Sequence, residues 1–160
     1  MKHSFFKRKP LIKPKLPHNA HLGKETTKEL KQAIQDQLRA IVIKRDGGCV
    51  MRGRFGHICS GFRKDGELIL QADHLVPRNN SGTYADERLV VCVCKGLHGW
   101  KSVGSNLRKA EYDRFIRNLL PPDRVDLWER AENEKWKVSK MDWRLELLRL
   151  QQLYKSMQNS

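Results

Sequence analysis

Three side chains in the middle of this sequence offer groups suited to metal-assisted hydrolysis. Asp73 supplies a hard carboxylate oxygen and His98 an imidazole, a mixed pair that suits Mg²⁺, Mn²⁺ or Zn²⁺. His74 follows Asp73 directly. An imidazole titrates near its ordinary pKa of about 6.5, so it can take a proton from water at neutral pH. Around these lie four cysteines, Cys49, Cys59, Cys92 and Cys94, with His57 between the first two. The opening residues M-K-H-S-F-F-K-R-K-P are basic and contain no apolar h-region, so a secretory signal is not expected. Without export, the four thiols read as metal ligands or reduced cysteines rather than as disulfides.

These residues need elements to bring them together. E-L-I-L-Q-A-D-H reads as a strand over 67–74, stopped by Pro77, and the β-branched R-L-V-V-C-V as a second strand over 88–93. N-N-S-G-T-Y-A-D-E between them has clear turn signals. A helix is expected from Cys94 or Lys95, carrying His98 and Lys101. Adjacent strand residues point to opposite faces, so Asp73 and His74 converge only if the strand ends or bulges there.

Upstream, Leu30, Ile34, Leu38 and Ile41 recur at helical spacing and predict an amphipathic helix over 27–45, ended by Gly47 and Gly48. Residues 49–66, rich in Gly, Arg and Cys, read as an irregular loop pinned by metal. Downstream, Ser105 or Asn106 caps a helix to about Leu120, and Pro121 and Pro122 interrupt the chain. Asp123 then opens a short helix to about Glu132. A final helix is expected from Ser139 with Asp142 at the capping-box position. In it Trp143, Leu147, Leu150, Tyr154 and Met157 step by four and three. Such a seam packs on the domain's own core or serves as a homodimer interface.

The chain has 160 residues, enough for one ordinary domain. No apolar run approaches the ~20 residues needed to span a bilayer, so no membrane partner is expected. Lys and Arg number 32 against 18 Asp and Glu, a net charge of +14. So large an excess points to a polyanion, with nucleic acid the default. Residues 1–24 carry seven Lys or Arg and no acid, together with Pro10, Pro14 and Pro17. This segment reads as a flexible basic arm in which Lys7, Arg8 and Lys9 contact phosphate. Arg78 and Lys101 are further phosphate candidates beside the Asp-His pair.

The order A-D-H-L-V-P-R at 72–78, a loop, D-E-R-L-V-V-C-V-C-K-G-L-H-G-W-K at 86–101 and flanking cysteines resembles the HNH, or ββα-metal, endonucleases over about residues 45–106. With S-N-L-R-K-A-E-Y, D-R-V-D-L-W-E and the D-W-R-L-E-L-L-R-L-Q-Q-L-Y helix, the likeness extends over about 44–155 to the phage NinG (Rap) recombination nucleases.

The resemblance implies a mainly helical α+β fold. Its parts are a basic arm at 1–24, a helix at 25–46, a ββα-metal core with a two-stranded antiparallel hairpin at 47–106, and a helical region at 107–160. It implies His74 as general base and Asp73 with His98 as ligands of a catalytic Mg²⁺ or Mn²⁺. Leu89 occupies the position of the family's middle Asn, which orders the loop between the strands, so that role falls to Asn79 or Asn80 or is absent. The family's structural zinc sits between two C-x-x-C pairs. Here the first pair is stretched to Cys49 and Cys59, and the second has Cys94 with Leu97 at its other position. Residues i and i+2 of a strand share a face, so Cys92 can join Cys94 in a closed four-thiolate zinc site. The alternative is that Cys92 is a buried strand residue and the other three cysteines are free thiols. His57 is a substitute ligand.

The implied activity is metal-dependent hydrolysis of DNA, branched forms such as Holliday junctions included, in the cytoplasm of a phage's bacterial host. Two other readings compete. One is a generic HNH nicking or packaging-associated nuclease. The other is a zinc-stapled DNA-binding protein without catalysis.

Overall fold

The computed structural model describes residues 25–78, 82–102, 106–134 and 141–159, and of residues 101, 102, 106 and 107 the backbone alone. The first helix, α1 (Thr27–Asp46), forms where the apolar spacing predicts it. Thr26 and Glu29 close a capping box at its start, and Gly47 ends it at φ 68°, a left-handed conformation that costs glycine little. Leu30, Ile34, Leu38, Ile41 and Val42 are buried along one face.

A two-stranded antiparallel sheet follows, β1 (Leu70–His74) and β2 (Val90–Cys94), in a register that pairs Asp73 with Val91 and His74 with Val90. β1 is shorter than the expected 67–74. Residues before Leu70 turn to another partner: Leu68 bridges Phe62, and the Ile69 N–H donates to the Gly61 carbonyl. β2 begins later than residue 88, because Glu87–Leu89 form a 3₁₀ turn that Asp86 caps.

The chain then passes directly into α2 (Lys95–Ser102), α3 (Asn106–Leu119), α4 (Pro122–Asn133) and α5 (Trp143–Gln158). Pro122 stands in the first turn of α4, where its missing N–H costs nothing. Asp142 caps α5 directly, accepting from the Leu145 N–H, so it is the N-cap and not the third helical residue. Ser139, like Ser105, lies outside the described residues.

Mainly helical with one antiparallel hairpin, the architecture is α+β. The hairpin is covered on both sides. On one face Val90 and Cys92 pack with Ile34, Leu38, Ile41 and Val42 of α1 and Leu150 of α5. The seam Trp143, Leu147, Leu150, Tyr154 and Met157 belongs to this cluster and is packed within the chain. On the other face Val91 and Val93 pack with Tyr112, Ile116, Leu127 and Trp128 of α3 and α4. Burial on both faces explains why β2 reads as a continuous apolar run. Among the described residues no helix is long and apolar enough to cross a membrane.

Candidate functional site

A cysteine-histidine cluster and a buried carboxylate lie on the same side of the hairpin. In the cluster, one donor atom each from Cys49, His57, Cys59 and Cys94 lies within 4.8 Å of every other. His57 Nε2 stands 3.4 Å from Cys94 Sγ and 3.9 Å from Cys49 Sγ. Tetrahedral coordination with Zn–S near 2.3 Å and Zn–N near 2.0–2.1 Å separates sulfur from nitrogen by about 3.6 Å, between these two distances. The four groups could therefore hold one metal ion such as zinc.

Local structure explains how residues so far apart in sequence meet. The Val50 N–H donates to the Cys92 carbonyl, which fixes Cys49 beside β2. The Gly96 N–H donates to the Ser60 carbonyl and brings Cys59 against the start of α2. Glycine is required on both sides of this approach. A Cβ on Gly61, already at φ 88°, would lie 2.7 Å from Lys95 Cβ, and one on Gly96 would overlap the Ser60 side chain. The Leu97 N–H donates to Cys94 Sγ at 3.4 Å, so the residue in place of a second cysteine contributes through its backbone.

Burial raises the pKa of the Cys49 thiol, and burial together with the neighbouring sulfurs pushes Cys59 up to about 12. Negative thiolates crowded together are costly until a cation offsets their charge. Burial lowers the pKa of His57, which keeps its imidazole neutral, the form that ligates metal.

Cys92 is not part of the cluster. It is fully buried on the opposite face against α1, and burial raises its pKa to about 12. Strand alternation holds through residue 93, but Cys94 is the last residue before α2 and packs with the other core. The i, i+2 argument fails there because the strand ends, and His57 takes the fourth place.

Asp73 is 4% exposed and lies on the same face as Val91. Its Oδ1 is 3.6 Å from His98 Nε2, and its Oδ2 accepts a short hydrogen bond from the Tyr112 hydroxyl. Burial and the adjacent carboxylate raise the Tyr112 pKa far above its usual value, so the phenol keeps its proton and donates. The structure thus brings Asp73 and His98 together, from β1 and α2, with a third partner from α3.

His74 occupies the last rung of the hairpin and is half-buried. The ladder is regular to that rung, so His74 shares a face with Ala72 and not with Asp73. Its Nε2 is 3.2 Å from the Tyr84 carbonyl. A carbonyl only accepts, so Nε2 carries the proton in the neutral ring and the basic lone pair belongs to Nδ1.

Arg78 is exposed just beyond β1. Lys101 lies in α2, its side chain outside the described residues, as are Lys7, Arg8, Lys9, Asn79 and Asn80. Three arginines bond the described part of the loop between the strands. Arg45 donates to the Glu87 and Val90 carbonyls, Arg124 to the Arg88 and Val90 carbonyls, and Arg149 to the Ala85 carbonyl and the Glu87 carboxylate. Nothing in their spacing marks these arginines, or Tyr112, as partners of the hairpin.

No family model, curated protein or solved structure matches this chain.

Proposed function

We propose that the chain is a metal-dependent endonuclease that hydrolyses phosphodiester bonds in DNA, with β1, β2 and α2 as a ββα-metal core. The observation that carries this reading is the 3.6 Å approach of His98 Nε2 to Asp73 Oδ1, two donors that fit one divalent Mg²⁺ or Mn²⁺. Such an ion, when bound, supplies Lewis-acid stabilisation of charge on the phosphate and the leaving oxygen. Tyr112 fixes the Asp73 carboxylate, and burial keeps it dry. The HNH likeness assigns His74, on the other face of β1, as the general base, with its ring positioned by the contact of Nε2 with the Tyr84 carbonyl.

In this reading the Cys49, His57, Cys59 and Cys94 cluster binds a structural zinc. A loop with little core of its own needs such a staple, and four protein ligands leave no open position for substrate. The net charge of +14 supports a DNA substrate, and the NinG likeness favours branched DNA in a phage-infected bacterium.

A second reading is a zinc-stapled DNA-binding protein without catalysis. It is favoured by the ladder register, which turns the side chains of Asp73 and His74 to opposite faces. Cleavage of a four-way junction and of linear duplex, with Mg²⁺ or Mn²⁺, separates the two. The nuclease reading expects cleavage by the wild type that is lost in His74→Ala and His98→Ala. Wild type that binds but never cuts, or a His74→Ala variant that cuts equally well, leaves only the binder.

A further inference from the structure

A cleft of about 340 Å³ opens beside the cysteine cluster, between the 55–60 loop and the facing sides of α2 and α3. Phe55, Trp100 and Phe115 form its aromatic lining, Glu111 is its acidic residue, and Tyr112 stands behind it. The Phe55 and Phe115 rings are stacked, with centroids 4.5 Å apart and planes at 17°. Phe55 is nonetheless 49% exposed. One face of its ring lies on Phe115, and the residue also lines the cleft.

Phe55 is also the one non-glycine residue with positive φ, at 51°, among those described. Bulky side chains rarely adopt that conformation, and where they do the surroundings must impose it. Here the 54–57 turn, closed by the His57 N–H donating to the Arg54 carbonyl, sets the ring over Phe115. Arginines stand against two of these rings. The Arg108 guanidinium carbon lies 5.9 Å from the Trp100 ring centroid, that of Arg114 lies 5.2 Å from the Phe115 centroid, and Arg54 precedes Phe55.

We propose that this cleft binds an unpaired nucleobase of the DNA substrate, stacked on Phe55, with Arg108 and Arg114 nearby for the adjoining phosphates. Resting on the endonuclease reading, the proposal specifies a substrate containing unpaired bases. Three features support it. The volume lies at the small end of the range of about 300–1,000 Å³ for small-molecule sites, so one planar base fits and a duplex does not. A half-exposed aromatic ring with arginines beside the neighbouring rings is the chemistry that holds single-stranded nucleic acid. The Glu111 carboxylate can accept from an exocyclic amine of a base, as acidic side chains do with cytosine N4. Tyr112 connects the cleft to the proposed cation site, because its hydroxyl bonds Asp73. A base held in the cleft therefore sits one side chain away from that carboxylate.

The test is binding of the zinc-loaded full chain, in Ca²⁺ and without chelator, to a single-stranded oligonucleotide carrying one 2-aminopurine and to the same sequence as duplex. The wild type is expected to quench the 2-aminopurine in the single strand. Phe55→Ala should weaken single-strand binding about tenfold or more and leave duplex binding unchanged. Phe55→Trp should restore it, and Phe62→Ala, exposed but outside the cleft, should match the wild type. Equal single-strand binding by Phe55→Ala overturns the proposal and leaves the apolar cleft to another occupant, such as a peptide. Equal loss on both DNAs overturns it too. Neither result bears on the nuclease reading, which stands or falls on cleavage by the His74 and His98 variants.

Discussion

His98 of α2 meets Asp73 of β1: its Nε2 lies 3.6 Å from the carboxylate Oδ1, while the Tyr112 hydroxyl donates to Oδ2. A carboxylate buried to 4% exposure is tolerated only with such partners. The pair and its support come from three elements, β1, α2 and α3, so the geometry exists only in the folded chain.

Tyr112 is accordingly expected to act through Asp73 as a positioning residue. Tyr112→Phe removes one oxygen and keeps the ring in the core. The expected outcome is a 10–100-fold loss of Mn²⁺ affinity and of junction cleavage, with DNA binding unchanged. Isothermal titration with Mn²⁺ and a gel-based cleavage assay read the two effects. Unaltered Mn²⁺ affinity would show that the Tyr112 bond serves the core alone.

The cysteine cluster predicts one zinc per chain and a sharp difference between cysteines. Cys59→Ser should lose the zinc and, with it, the cooperative unfolding transition of the 47–66 region. Cys92→Ala should keep the zinc, because Cys92 is packed against α1. Its cost should be confined to a small cavity, about 1 kcal/mol. Metal content by plasma mass spectrometry and chemical denaturation check both variants. Loss of zinc from Cys92→Ala would restore the four-thiolate arrangement that the register argues against.

Periodicity made much of this fold legible. Leu30, Ile34, Leu38 and Ile41 specify α1 because burial of one face imposes a period, and the continuous β-branched run specifies β2 because both its faces are buried. The Asp73 and His98 association was legible for a different reason, since the order strand, loop, strand and helix with these residues resembles the ββα-metal layout. What was not legible lies where elements join and where remote segments touch. Cys94 departs from the Cys92 face because β2 gives way to α2 there; the expected strand end near residue 93 was legible, but the turn of the Cys94 side chain at that junction was not. The path of Cys59 depends on Gly61 and Gly96, whose missing Cβ atoms permit contact between segments remote in sequence. Arg45, Arg124 and Arg149 bond backbone carbonyls, and a carbonyl leaves no signature in the side chains that carry it.

The arginine clamp on the loop between the strands predicts an acid-sensitive stability. Asp86 caps the 3₁₀ turn and pairs with Arg88. Burial opposes its ionisation, but the Arg88 hydrogen bonds and charge, with help from Arg149, hold its pKa below the usual carboxylate value. The folded-state pKa is depressed, so the stabilisation is present above about pH 4 and disappears as pH falls through the folded value. Asp86→Asn should destabilise the chain by about 1 kcal/mol at pH 7 and by progressively less towards pH 2. Denaturation curves of both proteins across that range provide the check. A constant difference at every pH would mean that charge plays no part in the cap.

The basic arm makes a separate prediction, one about DNA affinity rather than chemistry. Seven Lys or Arg and no acid lie in residues 1–24. Each phosphate neutralised on duplex DNA adds about −0.9 to the slope of log affinity against log salt. If Lys7, Arg8 and Lys9 each contact a phosphate, replacing all three by alanine should make the slope shallower by between about two and three. Cleavage under saturating DNA should be unchanged, because the proposed reacting groups are Asp73, His74 and His98. Fluorescence anisotropy at several salt concentrations measures the slope. An unchanged slope would remove these three residues from the DNA contact and leave the electrostatic attraction to the cations of the folded region, Arg54, Arg78, Arg108 and Arg114 among them.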